Sequence, residues 1–382
     1  MSGDGGMTLR MKVMILSAGE IYGGIERQIM DVCDWSDSDG RLDCHVHLFN
    51  KGKLSETLTR RGHSVHIIPS RSRYDLRTAD ELVRELESGE YDIVHAHGYK
   101  ALVTLAVAAL RGRTLPPVVK TVHGLPEPES QLPAGAMKSW LNSTLDRWAT
   151  RLLRARVCYV TEDVRRHHED NHAGLECTTV LNGIAPLDSS EYRRPVDLPV
   201  GGCVLAIVGR VAEVKGINYL ITALTDPVMP LDVRFVVLGT GPSLGALRSQ
   251  ADRLGVSERI LFLGFRENVY DYLAHVDGLM MPSLHEGLPY TLLEAMSLDI
   301  PVLASSVGGL AEILVDESTG LLFEARNPSA IAEACRRFVD EPDLVDRLRL
   351  NAAAVQREKY TMTTMMERYL EVYAKAVRTS SA

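Results

Sequence analysis

Short apolar runs alternate along this chain with segments whose apolar positions recur every three to four residues. In the first half the runs are MKVMILS (11–17), CHVHLF (44–49), HSVHII (63–68), DIVHAH (92–97), PVVKTVH (117–123), RVCYVT (156–161) and CTTVLNG (177–183). Helix-period segments near 24–35, 77–88, 99–111, 137–155 and 162–171 lie between them. Strands that read as continuous apolar runs, separated by helices, predict βαβ units and a parallel sheet covered on both faces. The pattern lapses at 183–202, GIAPLDSSEYRRPVDLPVGG, which reads as a linker rich in Pro, Gly and charge.

It restarts with CVLAIVG (203–209), VRFVVLG (233–239), RILFLG (259–264), DGLMMP (277–282) and PVLASS (301–306). Helices are expected at 215–225, 243–254, 289–298, 309–314 and 328–340, with two more near 343–357 and 361–378. The fold class is therefore α/β, two doubly wound parallel-sheet domains with a cleft between them. Ligands of such folds bind at the carboxyl ends of strands.

Composition narrows the function class. At 45% hydrophobic and 24% charged residues, the 382-residue chain is an ordinary globular protein of two-domain length. Residues 1–195 carry 25 Lys and Arg against 26 Asp and Glu, and 196–382 carry 17 against 24. A neutral half joined to an acidic one argues against nucleic-acid binding. The six cysteines are scattered without zinc or redox spacing, and fit reduced thiols in a cytoplasm. No apolar run has membrane-spanning length, and MSGDGGMTLR (1–10) reads as a loose leader, so a cytoplasmic protein with at most peripheral membrane contact is expected.

The densest candidate chemistry is HEGLPYTLLE (285–294), with Glu286 in a loop after a strand and Glu294 inside a helix read as starting at Pro289. Eight helical positions span about 12 Å, wider than the roughly 5–9.5 Å that separates the carboxyl groups of glycosidases. A glycosidase acid/base pair is disfavoured. The intervening Gly287, Leu288 and Pro289 instead allow close approach of a ligand to a helix N-terminus, which favours a phosphate. Two carboxylates bracketing it could accept hydrogen bonds from a sugar and a ribose.

GRVAEVKG (209–216) sends Arg210 and Lys215 from a strand end toward a helix, where cations converge on a diphosphate; a plain solvated turn is the other reading. GTGPSLG (239–245) misses the dinucleotide spacing by one. Gly23 and Gly24 in SAGEIYGGIERQ serve a tight turn or make room for a ligand, and His123 in KTVHG closes a strand on the expected cleft side.

Three further motifs resolve to structure. DWSDSDG (34–40) reads as a solvated loop after a helix, without a calcium pattern. HAHG (95–98) offers two imidazoles on one side of a strand but no third metal ligand. MKSWLNSTLDRWATRLLRAR (137–156) is basic and amphipathic; a core-packed helix is favoured over an interfacial one on anionic lipid.

Together YGGIERQ, KTVHG, VLNGI, GRVAEVKG, LGTGP, HEGLPYTLLEAMS, PVLASSVGGLAEI and TGLLF stand in the order and spacing of the retaining glycosyltransferases of family 4. The chain resembles that family from about residue 12 to 340, most specifically in the E-x7-E block. The resemblance implies the GT-B architecture: a Rossmann-like acceptor-side domain (1–190), a Rossmann-like nucleotide-sugar domain (191–360), and a C-terminal helix (361–382) packing back on the first. It implies that Arg210 and Lys215 hold the donor diphosphate, that Glu286, Gly287 and Leu288 meet sugar and phosphate, and that Glu294 meets the ribose. Gly23 and Gly24 would make room for donor phosphate or acceptor, and His123 would contact the transferred sugar.

Transfer would proceed with retention, a donor phosphate oxygen taking the acceptor proton, with no cofactor and no obligate metal. Ala185 departs from the Asp that often follows NGI. The implied partners are a nucleotide sugar, a glycan or lipid-linked acceptor and an anionic membrane surface, in bacterial surface polysaccharide synthesis. A sugar-nucleotide epimerase or hydrolase and a non-catalytic binding partner are the alternatives. Acceptor choice would reside in loops 69–77 and 125–136.

Overall fold

The apolar runs of the first half form β1 (Met11–Ser17), β2 (Leu42–Leu48), β3 (Ser64–Ile67), β4 (Ile93–His97), β5 (Val118–Val122), β6 (Arg156–Tyr159) and β7 (Cys177–Thr179). All seven pair in parallel in the order β3-β2-β1-β4-β5-β6-β7. The computed structural model describes residues 10–19, 23–69, 76–125 and 133–380; most of the leader, residues 20–22 of the glycine motif, and the greater part of loops 69–77 and 125–136 lie outside them.

Both faces of this sheet are buried, which is why its strands read as unbroken apolar runs. Val13 and Ile15 point into a core with Ile29 and Cys33 of helix Gly24–Asp39 and with Met366, Tyr369 and Tyr373 of helix Met362–Ser380. Met14 and Leu16 point into the opposite core, with Leu82 of helix Leu76–Gly89 and Leu102 and Leu105 of helix Tyr99–Leu110.

The stretch 34–40 is not a loop. Helix Gly24–Asp39 runs through it, because the buried period 29, 32, 33 and 36 continues past the acidic positions. Buried Ser36 donates to Leu42 O at 3.1 Å, and Gly40, at φ 81°, ends the helix by donating to Ser36 O.

The second half forms β8 (Cys203–Val208), β9 (Val233–Leu238), β10 (Ile260–Gly264), β11 (Gly278–Met281), β12 (Val302–Ser305) and β13 (Leu321–Phe323). These too are all parallel, in the order β10-β9-β8-β11-β12-β13. Strands β8 and β9 pack through Leu205, Ile207, Phe235 and Val237 onto Leu220, Ile221, Leu247 and Ile331 from three helices.

Counted within its own unit, each sheet therefore contains the order 3-2-1-4-5-6 of a dinucleotide-binding fold. Strand order reverses between β1 and β4 in one sheet and between β8 and β11 in the other. Those two points are where such folds bind ligands.

Two compact units result: the described residues up to Leu181 together with those from Met362, and Asn182–Thr361. The stretch 183–202 lies in the second unit. Ile184 forms a parallel bridge with Thr361 and donates to Tyr360 O at 3.1 Å, and Ser297 Oγ accepts from Leu187 N at 3.1 Å.

Candidate active site

In the second unit the loops after β8 and β11 are laced together by backbone. Leu284 N donates to Val214 O at 2.7 Å. Gly216 has φ 63°, and a Cβ there would lie 1.9 Å from Pro282 O. The loop after β9 joins them: a Cβ on Gly239 would lie 1.9 Å from Gly209 O, and one on Gly241 2.2 Å from Val211 O. Gly239 and Gly241 of GTGPSLG are thus required for loop packing.

Lys215 closes a 3-10 turn, Glu213–Lys215, ahead of helix Ile217–Ala223. Its Nζ donates to Glu286 Oε1 at 2.6 Å, and Ser283 Oγ donates to the same oxygen at 2.6 Å. The side chains of Lys215 and Glu286 are 21% and 12% exposed, so the pair is sheltered yet reachable.

Glu286 is anchored from behind. Its carbonyl accepts from Gly309 N at 2.9 Å, and Ser305 Oγ at the end of β12 donates to Ser283 O. Asn182 Nδ2 donates to Leu288 O at 2.8 Å and fixes the Gly287-Leu288 turn. Arg210, two residues past β8, is exposed.

Pro289 is the cap residue rather than the first helical one, extended at φ −73° and ψ 131°, and helix Tyr290–Ser297 follows it. Glu294 lies on that helix, 7% exposed, and accepts from Tyr270 OH at 2.8 Å. Tyr192 packs its ring 5.5 Å from that of Tyr270. The two glutamates have separate partners, Glu286 a lysine and a serine, Glu294 a tyrosine.

In the first unit Gly23 caps helix Gly24–Asp39. Glu26, three residues on, accepts from Gly23 N at 2.9 Å, so a carboxylate already sits at this helix start. Burial raises the Glu26 pKa, and its backbone hydrogen bonds partly offset that.

His123 follows β5 and shares a 3.0 Å hydrogen bond, Nε2 to Nδ1, with His97 at the end of β4. The third imidazole missing from HAHG thus arrives as a hydrogen-bonding partner. Both ring nitrogens of His95 are engaged, by Tyr373 OH at 2.7 Å and Thr121 Oγ1 at 2.8 Å. Burial pushes His95 down to about 3 and His123 down to about 4, and lowers His97 well below the usual value, so all three are neutral at pH 7. Among the described residues no group of three or more His, Cys, Asp or Glu side chains is arranged to hold a metal ion.

Ser283, Tyr270, Asn182, Glu26 and His97 were not legible as site residues. Only Glu26 carries a local signal, the capping spacing after Gly23. Ser283 lies only three residues before Glu286 but in an ordinary position after a strand, and Tyr270, Asn182 and His97 meet their partners across gaps in sequence that only folding closes.

Two family models match consecutive stretches: Glycosyltransferase Family 4 over residues 22–186 and Glycosyl transferases group 1 over residues 188–355. The chain belongs to glycosyltransferase family 4. It is 25% identical to an uncharacterized glycosyltransferase of Methanocaldococcus jannaschii over 85% of this chain and 93% of that one. It is 27% identical to the Escherichia coli UDP-Gal:alpha-D-GlcNAc-diphosphoundecaprenol alpha-1,3-galactosyltransferase over 70% and 71%. The crystal structure of Anabaena Alr3699/HepE in complex with UDP and glucose matches with a TM-score of 0.80 at 23% identity, covering 96% of this chain and 100% of that chain. The fold of this family 4 enzyme is thus GT-B, and its activity is that of a glycosyltransferase.

Proposed function

We propose that this glycosyltransferase moves a hexosyl or N-acetylhexosaminyl group, with retention, from a nucleotide-diphosphate sugar to a glycan or lipid-linked acceptor in bacterial surface polysaccharide synthesis. The observation that carries the reading is the Lys215–Glu286 pair at the switch point between β8 and β11. Lys215 and Arg210 supply positive charge where the diphosphate leaves, so that step needs no metal in this reading. Glu286 takes sugar hydroxyls and Glu294 the ribose, with Gly287 and Leu288 giving close backbone approach. Gly23, Gly24 and His123 are the first unit's substrate contacts. The bond from the anomeric carbon to phosphate breaks, the acceptor oxygen bonds on the same face, and its proton passes to a phosphate oxygen of the leaving nucleotide.

A UDP donor is the first to try, since the E. coli relative is named for UDP-Gal and the Anabaena protein was solved with UDP and glucose. Thermal-shift screening against UDP-, GDP- and ADP-sugars, then turnover with and without glycan acceptors, tests the reading. Lys215→Ala and Glu286→Ala should each lower acceptor-dependent turnover about 10²-fold or more with folding retained. Wild-type turnover in both would end it, and donor consumption independent of acceptor would favour a hydrolase or epimerase.

This reading places the enzyme in the cytoplasm at the inner membrane face. Its support is helix Pro133–Leu152, which exposes Met137, Trp140, Leu141, Trp148 and Leu152 beside Arg147 and Arg151. Among the described residues no helix is long and apolar enough to cross a membrane. Cosedimentation with phosphatidylglycerol vesicles at low salt, lost on Arg151→Glu with Arg154→Glu and absent with phosphatidylcholine, is the expected result; no sedimentation with either lipid would refute it.

A further inference from the structure

Three imidazoles of the first unit stand in a row. His95 and His97 lie two apart on β4 and so share a face, their ring centroids 4.3 Å apart; the His97 and His123 centroids are 5.3 Å apart. One end of the row is fixed by a chain of hydrogen bonds. Gln28 Nε2 donates to Tyr369 OH at 3.3 Å, and the Tyr369 hydroxyl meets Thr121 Oγ1 at 2.9 Å.

The Thr121 hydroxyl bridges the Tyr369 hydroxyl and His95 Nε2, and His95 Nδ1 meets the Tyr373 hydroxyl. The His95 ring is thereby held at both nitrogens, by Thr121 and by Tyr373 of helix Met362–Ser380. His97, 3% exposed, lies against that fixed ring and engages His123 through Nδ1.

We propose that His97 is the positioning residue of this enzyme: it holds Nε2 of His123, so that Nδ1 is the nitrogen presented to a substrate hydroxyl. The proposal rests on the substrate role given to His123 above. A neutral imidazole has one donor and one acceptor nitrogen, and a ring flip exchanges them. The hydrogen bond to His97 opposes that flip and keeps Nδ1 as the His123 nitrogen turned away from His97. Its value is geometric, since misplacing a contact group by 1 Å can cost about 10²-fold in rate.

The test combines kinetics with 15N-histidine NMR. In the wild type at pH 7 His123 should show one neutral tautomer; in His97→Ala it should show an averaged mixture. In turnover with the best nucleotide sugar of the panel, His97→Ala should lower kcat about 10- to 100-fold while changing the donor KM less than about threefold. His97→Asn, whose amide reaches the place of Nδ1, should restore kcat to within about threefold of wild type.

Wild-type kcat in His97→Ala alongside lost turnover in His123→Ala would overturn the positioning role and leave the function standing. Wild-type turnover in His123→Ala would remove the substrate role and this proposal with it. Should His97→Ala not fold, the wild-type spectrum decides, because a mixed His123 tautomer there is incompatible with the proposal.

Discussion

At Gly216 a side chain has nowhere to go. Its backbone is left-handed and a methyl group would meet the Pro282 carbonyl oxygen, so Gly216→Ala must part the loops that carry Lys215 and Glu286. Urea denaturation should show a loss of about 2–4 kcal/mol, and turnover should fall with it. The contrast between Lys215 and Ser283 shows what a sequence displays at this scale. Lys215 is legible because it follows an apolar strand in a charged, glycine-bounded turn. Ser283 donates to the same carboxylate oxygen, yet has nothing around it that separates it from any serine after a strand. Glu286 and Glu294 are legible through their spacing, whereas Tyr270, which holds Glu294, lies on the five-residue helix Val269–Leu273, too short for a period to register.

Among the elements, helix Pro133–Leu152 corrects the expectation that it packs in a core. Only part of it is covered: Ala149 and Thr150 are buried, and helix Tyr99–Leu110 packs against it, while Trp140 and Trp148 are 64% and 41% exposed. Periodicity reports that a helix has an apolar face but not what that face meets. Trp148→Ser should therefore change stability by no more than about 1 kcal/mol in thermal unfolding, against about 3–5 kcal/mol for a core tryptophan.

Helix Lys53–Arg60 gives no periodic signal in the sequence because only Leu54 and Leu58 in it are apolar, although both are buried. β13 has just three residues. Helix Met362–Ser380 was legible by period, and its buried Met365, Met366, Tyr369 and Tyr373 make it part of the first unit's core. A chain ending at Thr361 should accordingly fail to give a soluble first unit, with Asn182–Thr361 remaining the protease-resistant fragment.

Over the whole molecule, acid should act unevenly. Burial pushes His47, His95 and His172 down to about 3 and His123 to about 4, and lowers His97 as well. Each takes up its proton near pH 6.5 once unfolded, but far lower when folded. Their contribution is complete above pH 6.5 and is lost as the pH falls from there toward 4 and below. Glu26 and Asp31, both raised by burial, pull the other way but are fewer. All five histidines belong to the first unit, so amide protection factors, corrected for the intrinsic exchange rate at each pH, should fall there well before they do in the second as pH drops from 7 to 4.5.

The bridge between Ile184 and Thr361 has one more consequence, for the order in which the protein is made. The chain leaves the first unit after Leu181 and returns only at Met362, so the second unit can complete itself while the first still waits for the tyrosines that fill its core. At translation rates of about 5–20 residues per second that wait is on the order of 10–40 s. Throughout it the nascent amino-terminal sheet has one apolar face covered only in part, by helices Gly24–Asp39 and Lys53–Arg60, which makes it a natural client for a ribosome-associated chaperone.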